Sequence, residues 1–255
     1  MRKYLIGAAA AVSVVVLASN GAMSAGDAVK PPSQNWSFSG FFGTFDRGAL
    51  QRGFQVYDEV CAGCHSARLL AYRNLTEIGF TEDQAKKIAA SKEVTDGPND
   101  EGEMFQRPGI LSDRFVRPFP NDEAARAANG GALPPDLSLM VKARIGGANY
   151  LHALLTGYKD APKDTNLPDG MSYNLYFAGN QIAMAPPLAE DGVEYADKTK
   201  ATVDQMARDV TTFLAWAAEP ELEWRKRMGV KVILFLLILT GMLYAVKRKV
   251  WSDVH

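Results

Sequence analysis

Cys61-Ala62-Gly63-Cys64-His65 contains both cysteines of this 255-residue chain, and C-x-x-C-H is the attachment signature of a c-type haem. Two thiols this close lie on one side of a single turn, so each can add to a different vinyl group of the ring. The adjacent imidazole then comes up under the iron as the proximal ligand. A structural zinc site would need four Cys or His ligands, and the only other histidines are His152 and His255. A thioredoxin-like dithiol would need a βαβ setting, and no such pattern surrounds Cys61.

Outward from the motif, Leu50, Phe54, Tyr57 and Cys61 recur at helical spacing behind a cap at Asp46. Gly53 lies inside that helix, where it costs about 1 kcal/mol relative to Ala unless another segment comes close. A second apolar stripe, Val203, Met206, Val210, Phe213, Leu214 and Ala217, started by a capping box at Thr202-Val203-Asp204-Gln205, offers such a segment, and a close crossing there explains Gly53 as well as a merely tolerated glycine does. Thr81-Glu82-Asp83-Gln84 opens another short helix, and Ala148 to Thr156 reads as a helix stopped by Gly157. Residues 94–120 and 158–188 are rich in Gly, Pro, Asn and Asp and read as long loops, and no strand run is convincing. The expected fold is therefore mainly α: a c-type cytochrome domain with long loop insertions.

The two ends place the domain. Met1-Arg2-Lys3, an apolar run from Leu5 to Leu17 and small residues through Ala25 form the pattern of a secretory signal over residues 1–25. Near the other end Val232 to Val246 carries no charge. With Met228 to Lys231 added it is long enough for one transmembrane helix over residues 228–247, for which about 20 apolar residues suffice. The signal then puts residues 26–227 in the periplasm and 248–255 in the cytoplasm, with the chain in a bacterial inner membrane. Residues 26–224 hold 19 Lys and Arg against 28 Asp and Glu. So acidic a domain excludes nucleic acid as a natural partner and favours a basic one.

An iron that only shuttles electrons is best held six-coordinate. Candidates for the distal ligand are His152, Met104, Met140, Met171, Met184 and Met206. Met206 belongs to the amphipathic stripe, Met140 follows Pro134-Pro135-Asp136 in a helix-like stretch, and His152 lies between leucines on a short helix, so all three read as packing. Met184 stands in Ala183-Met184-Ala185-Pro186-Pro187, which cannot be helical past its prolines and has small neighbours that let a thioether reach the ring. It is the best distal candidate, and a His/Met pair would raise the reduction potential.

The strings Gly53 to Tyr57, Cys61 to His65, Asp96 to Asn99, Gly102 to Phe105, Ala124 to Gly130, Ala132 to Ser138, Met184 to Pro187 and Trp216 to Glu221 resemble the cytochrome c1 family. Its members are the membrane-anchored haem subunits of ubiquinol:cytochrome c oxidoreductase. The resemblance runs from about Trp36 to Trp251. It implies one covalently bound haem c on Cys61 and Cys64, His65 and Met184 as axial ligands, Arg144 paired with a haem propionate, and Tyr150 with the Pro134-Pro135 turn lining the pocket. It implies a subunit that is not an enzyme by itself. Such a subunit takes single electrons from a Rieske iron–sulfur protein, beside a cytochrome b subunit, and gives them to a basic cytochrome c, soluble or membrane-tethered. The chain has no further cysteine, so no disulfide braces the loop before Met184. Two other classes stay open on the residues alone: a stand-alone membrane-anchored carrier, and a haem sensor or enzyme with an open sixth site.

Overall fold

A computed structural model describes residues 29–254; the expected signal segment lies outside the described residues. Helix α1 (Arg47–Val56) starts where the Asp46 carboxylate accepts from the Ala49 amide at 3.1 Å, the N-cap arrangement that satisfies one orphan donor. It buries Ala49, Leu50, Gly53, Phe54 and Val56. A single π-helical turn, Tyr57–Cys61, continues it. Next come a 3-10 segment (Tyr72–Ile78) and α2 (Glu82–Ala90), which begins with the full capping box between Thr81 and Gln84. After α3 (Asp122–Ala128) and α4 (Gly147–Thr156), α5 (Val203–Ala218) returns across α1.

The close crossing inferred from Gly53 is present: a Cβ there would lie 2.1 Å from the Asp209 carbonyl oxygen and 2.8 Å from Cβ of Phe213. The adjacent Arg52 spans the same seam. Its guanidinium donates to both oxygens of the fully buried Asp209, at 2.8 and 3.1 Å, and to Asp197 at 2.7 Å. Around the crossing Phe54, Tyr57, Phe115, Phe213 and Trp216 stack edge and face with centroids 5.6–5.9 Å apart, a spacing at which aromatic pairs attract beyond their area burial.

Three expectations need correction. The two long loops contain small antiparallel hairpins, β1 (Glu93–Asp96) with β2 (Phe105–Pro108) and β3 (Ser172–Tyr173) with β4 (Gln181–Ile182). They are too short and polar to show an alternating pattern. The box at Thr202 is only half formed: its hydroxyl accepts from the Gln205 amide, but the Gln205 side chain donates to Asp209 instead of reaching back. Met140 is buried in the core as expected, yet on turns rather than a helix.

Helix α6 (Leu222–Val250) is long and apolar enough to cross a membrane, and its apolar window is wholly unburied by the rest of the protein. Only Glu219, Pro220 and Glu221 separate it from α5. Its first turn belongs to the head: Glu223 accepts from the Phe45 amide at 2.8 Å and from Arg47 at 2.9 Å, and the Lys226 ammonium donates to the carbonyls of Phe38 and Gly43 at 2.7 and 3.0 Å.

Candidate haem-binding site

The motif sits where α1 widens. The Ala62 amide donates to the Tyr57 carbonyl at 2.8 Å, the longer-range bond of a π turn, which inserts one residue and is common at functional sites. The amides of Cys64 and His65 then both donate to the Cys61 carbonyl, at 3.1 and 2.8 Å. This double closure folds the five residues into one compact turn. Both cysteines are free thiols, Cys61 half-buried and Cys64 exposed. Burial, with a smaller push from Cys64, raises the Cys61 thiol to about 12.

Nδ1 of His65 lies 2.8 Å from the carbonyl oxygen of Pro135. A carbonyl can only accept, so Nδ1 carries the hydrogen and Nε2 presents a lone pair. This is how outer partners fix the tautomer and ring angle of metal-binding histidines. Burial lowers the imidazole's pKa, against the opposing pull of the Pro135 bond and of Asp136, and favours the neutral form that a metal requires. The loop bearing Pro135 is itself fixed. Asp136 accepts from the Ser66 hydroxyl at 2.7 Å and from the amides of Arg68 and Ser138 at 3.0 Å, and the Leu137 amide donates to Ser66. Although burial works against it, those hydrogen bonds hold the Asp136 carboxyl below the usual carboxylate range. Pro134 is half-buried beside it and Pro135 exposed.

The other candidates separate by environment. His152 is buried, its Nε2 2.9 Å from Asp204 and its ring edge-on to Trp36, a packing role. Met206 is fully buried and Met140 nearly so, while Met104 is exposed beside the first hairpin. Met171 lines a cavity of about 550 Å³ with Tyr158, Tyr173 and Pro186. Met184 is half-buried in the bend that follows β4, in the loop that also carries Pro186. A smaller cavity of about 280 Å³ lies against Ala62 and Gly63 of the motif turn, with Tyr57, Tyr72 and Lys92 in its wall.

Arg144 is exposed and, among the described residues, in no ion pair; one of its nitrogens donates to the adjacent Ala143 carbonyl at 3.0 Å. Burial raises the Tyr150 hydroxyl while Arg144 pulls it back, so this cation lies within electrostatic reach of the ring. Tyr158 extends the group. Its hydroxyl is buried without a partner among the described residues and is raised by burial and by nearby Tyr150. A buried donor left unpaired costs about 1–3 kcal/mol, a cost that an acceptor from outside the chain would offset. Sequence reading passed over Tyr158, because a tyrosine after Gly157 carries no signal of being left unpaired.

Two thiols on one turn, an oriented imidazole, and a cation and an unpaired Tyr158 hydroxyl each within electrostatic reach of Tyr150 fit a haem with its vinyl groups, iron and carboxylates. A zinc centre fits poorly: among the described residues no three His, Cys, Asp or Glu side chains cluster. The model of the Cytochrome C1 family matches residues 36–254. The chain belongs to the cytochrome c1 family. Among relatives, the cytochrome c1 of Rhodospirillum rubrum is 49% identical over 257 residues, covering 94% of each chain. A Candida albicans relative named cytochrome b-c1 complex catalytic subunit is 51% identical over 88% of this chain and 78% of its own. A Bradyrhizobium diazoefficiens relative named cytochrome b/c1 is 48% identical over 89% of this chain, which spans 36% of that longer protein. Membership in a cytochrome family implies a haem cofactor.

Proposed function

We propose that this cytochrome c1 family member holds one haem c through thioethers at Cys61 and Cys64 and relays single electrons within a ubiquinol:cytochrome c oxidoreductase. It receives them from a Rieske iron–sulfur protein, beside a cytochrome b subunit, and delivers them to a basic cytochrome c, soluble or membrane-tethered. The observation that carries this reading is the His65–Pro135 hydrogen bond, which presents Nε2 to a metal.

The bound haem supplies reversible one-electron chemistry at its iron. His65 is the proximal ligand, oriented by the Pro135 carbonyl. Met184 is the distal ligand, and its thioether favours the reduced state and so raises the potential. Arg144 and the Tyr158 hydroxyl take the ring's carboxylates, with Tyr150 and Pro134-Pro135 lining the pocket. Residues 1–25 act as an export signal, 26–227 form the periplasmic head, 228–247 cross the inner membrane and 248–255 remain in the cytoplasm. The relatives named for a b-c1 complex and a b/c1 fusion support assembly with a cytochrome b, and the acidic head supports a basic acceptor.

A redox titration followed by absorption spectroscopy tests the reading. One thioether-linked haem per chain, retained on denaturing gels and lost in Cys61→Ala with Cys64→Ala, is the expected result. A haem that can be extracted from the unsubstituted protein would refute covalent attachment.

A further inference from the structure

The segment between Trp36 and α1 carries at its middle two exposed phenylalanines with no place in the proposed electron-transfer site. Phe41 is 56% and Phe42 81% exposed, and the rings meet edge to face at 5.0 Å. Fully exposed adjacent aromatics are unfavourable in water, yet the loop that carries them is tightly built. The Ser39 amide donates to Trp36 and the Thr44 amide to Ser37. Gly43 approaches the Ser39 carbonyl so closely that a Cβ there would lie 1.9 Å from it. At the base Phe38 packs on Trp36 and Phe45, with centroids 5.5 and 5.0 Å away.

Both arms of the loop are fastened to the start of α6: the Phe45 amide donates to Glu223, and the carbonyls of Phe38 and Gly43 accept from Lys226. Lys226 stands six residues, about 9 Å of helix, before the charge-free run that starts at Val232, so residues 39–42 are tethered beside the entry to the apolar span. At this level α6 carries Arg227 and Lys231, side chains suited to phosphate headgroups, with Trp224 exposed one turn above. Aromatic side chains collect at such boundaries.

We propose that Phe41 and Phe42 insert into the outer interface of the lipid bilayer, giving the head a second membrane contact beside α6. The proposal rests on the reading of α6 as a membrane span. Lipid is favoured over a protein groove because the loop is fastened to α6 beside the entry to its apolar span, where Arg227 and Lys231 suit phosphate headgroups. Lys226 satisfies the carbonyls of Phe38 and Gly43 at the loop's neck, and the backbone of the tip keeps to the hydrated interface while the two rings reach below it.

The test uses the full haem-loaded chain, in which both native cysteines are consumed as thioethers. An introduced thiol is then the single labelling site. Phe42→Cys, Leu236→Cys in the span and Asp100→Cys on the far hairpin loop are each labelled with a polarity-sensitive fluorophore. The proteins are reconstituted into phosphatidylcholine–phosphatidylglycerol vesicles with and without lipids carrying a nitroxide near the headgroup. The label at position 42 should be blue-shifted and lose most of its emission to the shallow nitroxide, while the label at 100 is unaffected. Quenching at 236 but not at 42 overturns the loop insertion and leaves the anchor standing; quenching at neither overturns both. Quenching at 42 in the isolated chain that disappears when the chain is assembled with its cytochrome b subunit would assign the loop to a protein contact and overturn the proposal.

Discussion

Gly53 and Asp209 meet backbone to backbone: no side chain fits between the α-carbon of the first and the carbonyl of the second, since a Cβ would come within 2.1 Å. Helix propensity favours Gly53→Ala by about 1 kcal/mol, whereas overpacking costs about 1–3 kcal/mol and more where backbone must move. The clash wins, and Gly53→Ala lowers the unfolding midpoint in denaturant. Gly48, in the same helix, faces only side-chain ends at 3.3 and 3.4 Å, so Gly48→Ala leaves the midpoint equal or higher. Equal effects of the two substitutions would remove the crossing as the cause.

Met184→Leu separates ligation from packing. The side chains have similar volume, so the haem stays covalently attached and the head stays folded. The loss of a thioether donor lowers the potential on the order of 0.1 V or more, within the roughly 0.8 V that axial ligands span. The reduced protein then binds carbon monoxide. An unchanged potential with no carbon monoxide complex would exclude Met184 as the ligand.

Acid stability should fall in two stages. His152 is buried with its pKa lowered, chiefly by that burial and only partly offset by Asp204. The unfolded chain therefore binds a proton that the folded chain resists, and stability declines as pH falls below about 6.5. Asp197 is held at about 2 by the Thr199 amide and then by Arg52, and Asp113 is lowered by Arg107. What these carboxylates contribute is complete above about pH 4 and disappears as pH drops toward their folded values. His152→Gln keeps a hydrogen bond for Asp204 but has nothing to titrate. Urea midpoints of this variant should fall less between about pH 7 and 5 than those of the unsubstituted protein, His65 keeping its own share of that decline, and still fall below about pH 4.

In the proposed relay the acidic head should make electron delivery depend on salt. Asp96 is already neutralised by Arg107, and Glu194 is paired with Lys198; Asp100, Glu101 and Glu103 of the first hairpin loop are in no ion pair among the described residues. The second-order rate with a basic cytochrome c should drop steeply as ionic strength rises, because screening shortens to about 8 Å at physiological salt. Asp100→Lys with Glu101→Lys should depress that rate at low salt and leave the haem spectrum alone. A rate that stays flat across salt would mean that the acidic surface serves some other purpose.

What the sequence revealed was what local rules encode. Asp46 and Thr81 cap where their side chains predict, Gly157 ends α4, and Gly53 marks a crossing because only a glycine permits one. The Cys61–His65 motif reads as a single compact turn, and the structure folds it as one. What stayed hidden depends on partners far along the chain. The π turn at Tyr57–Cys61 has no signature of its own, and the Pro135 carbonyl that orients His65 is backbone, which no side-chain pattern reports. Gln205 abandons its capping role only because Asp209 and Arg52 are assembled beside it. Tyr158 was missed because an unpaired hydroxyl is visible only once everything around it is packed.

The three-residue link between α5 and α6, with Glu223 and Lys226 clamped to the segment before α1, leaves no hinge between anchor and motif turn. The long apolar helix, the helix that crosses α1, and the turn that carries Cys61 are thus joined in series by short, hydrogen-bonded connections. If α6 spans a membrane as proposed, a head mounted this way would keep its height and heading above the surface, and any travel in the proposed relay would fall to its partners.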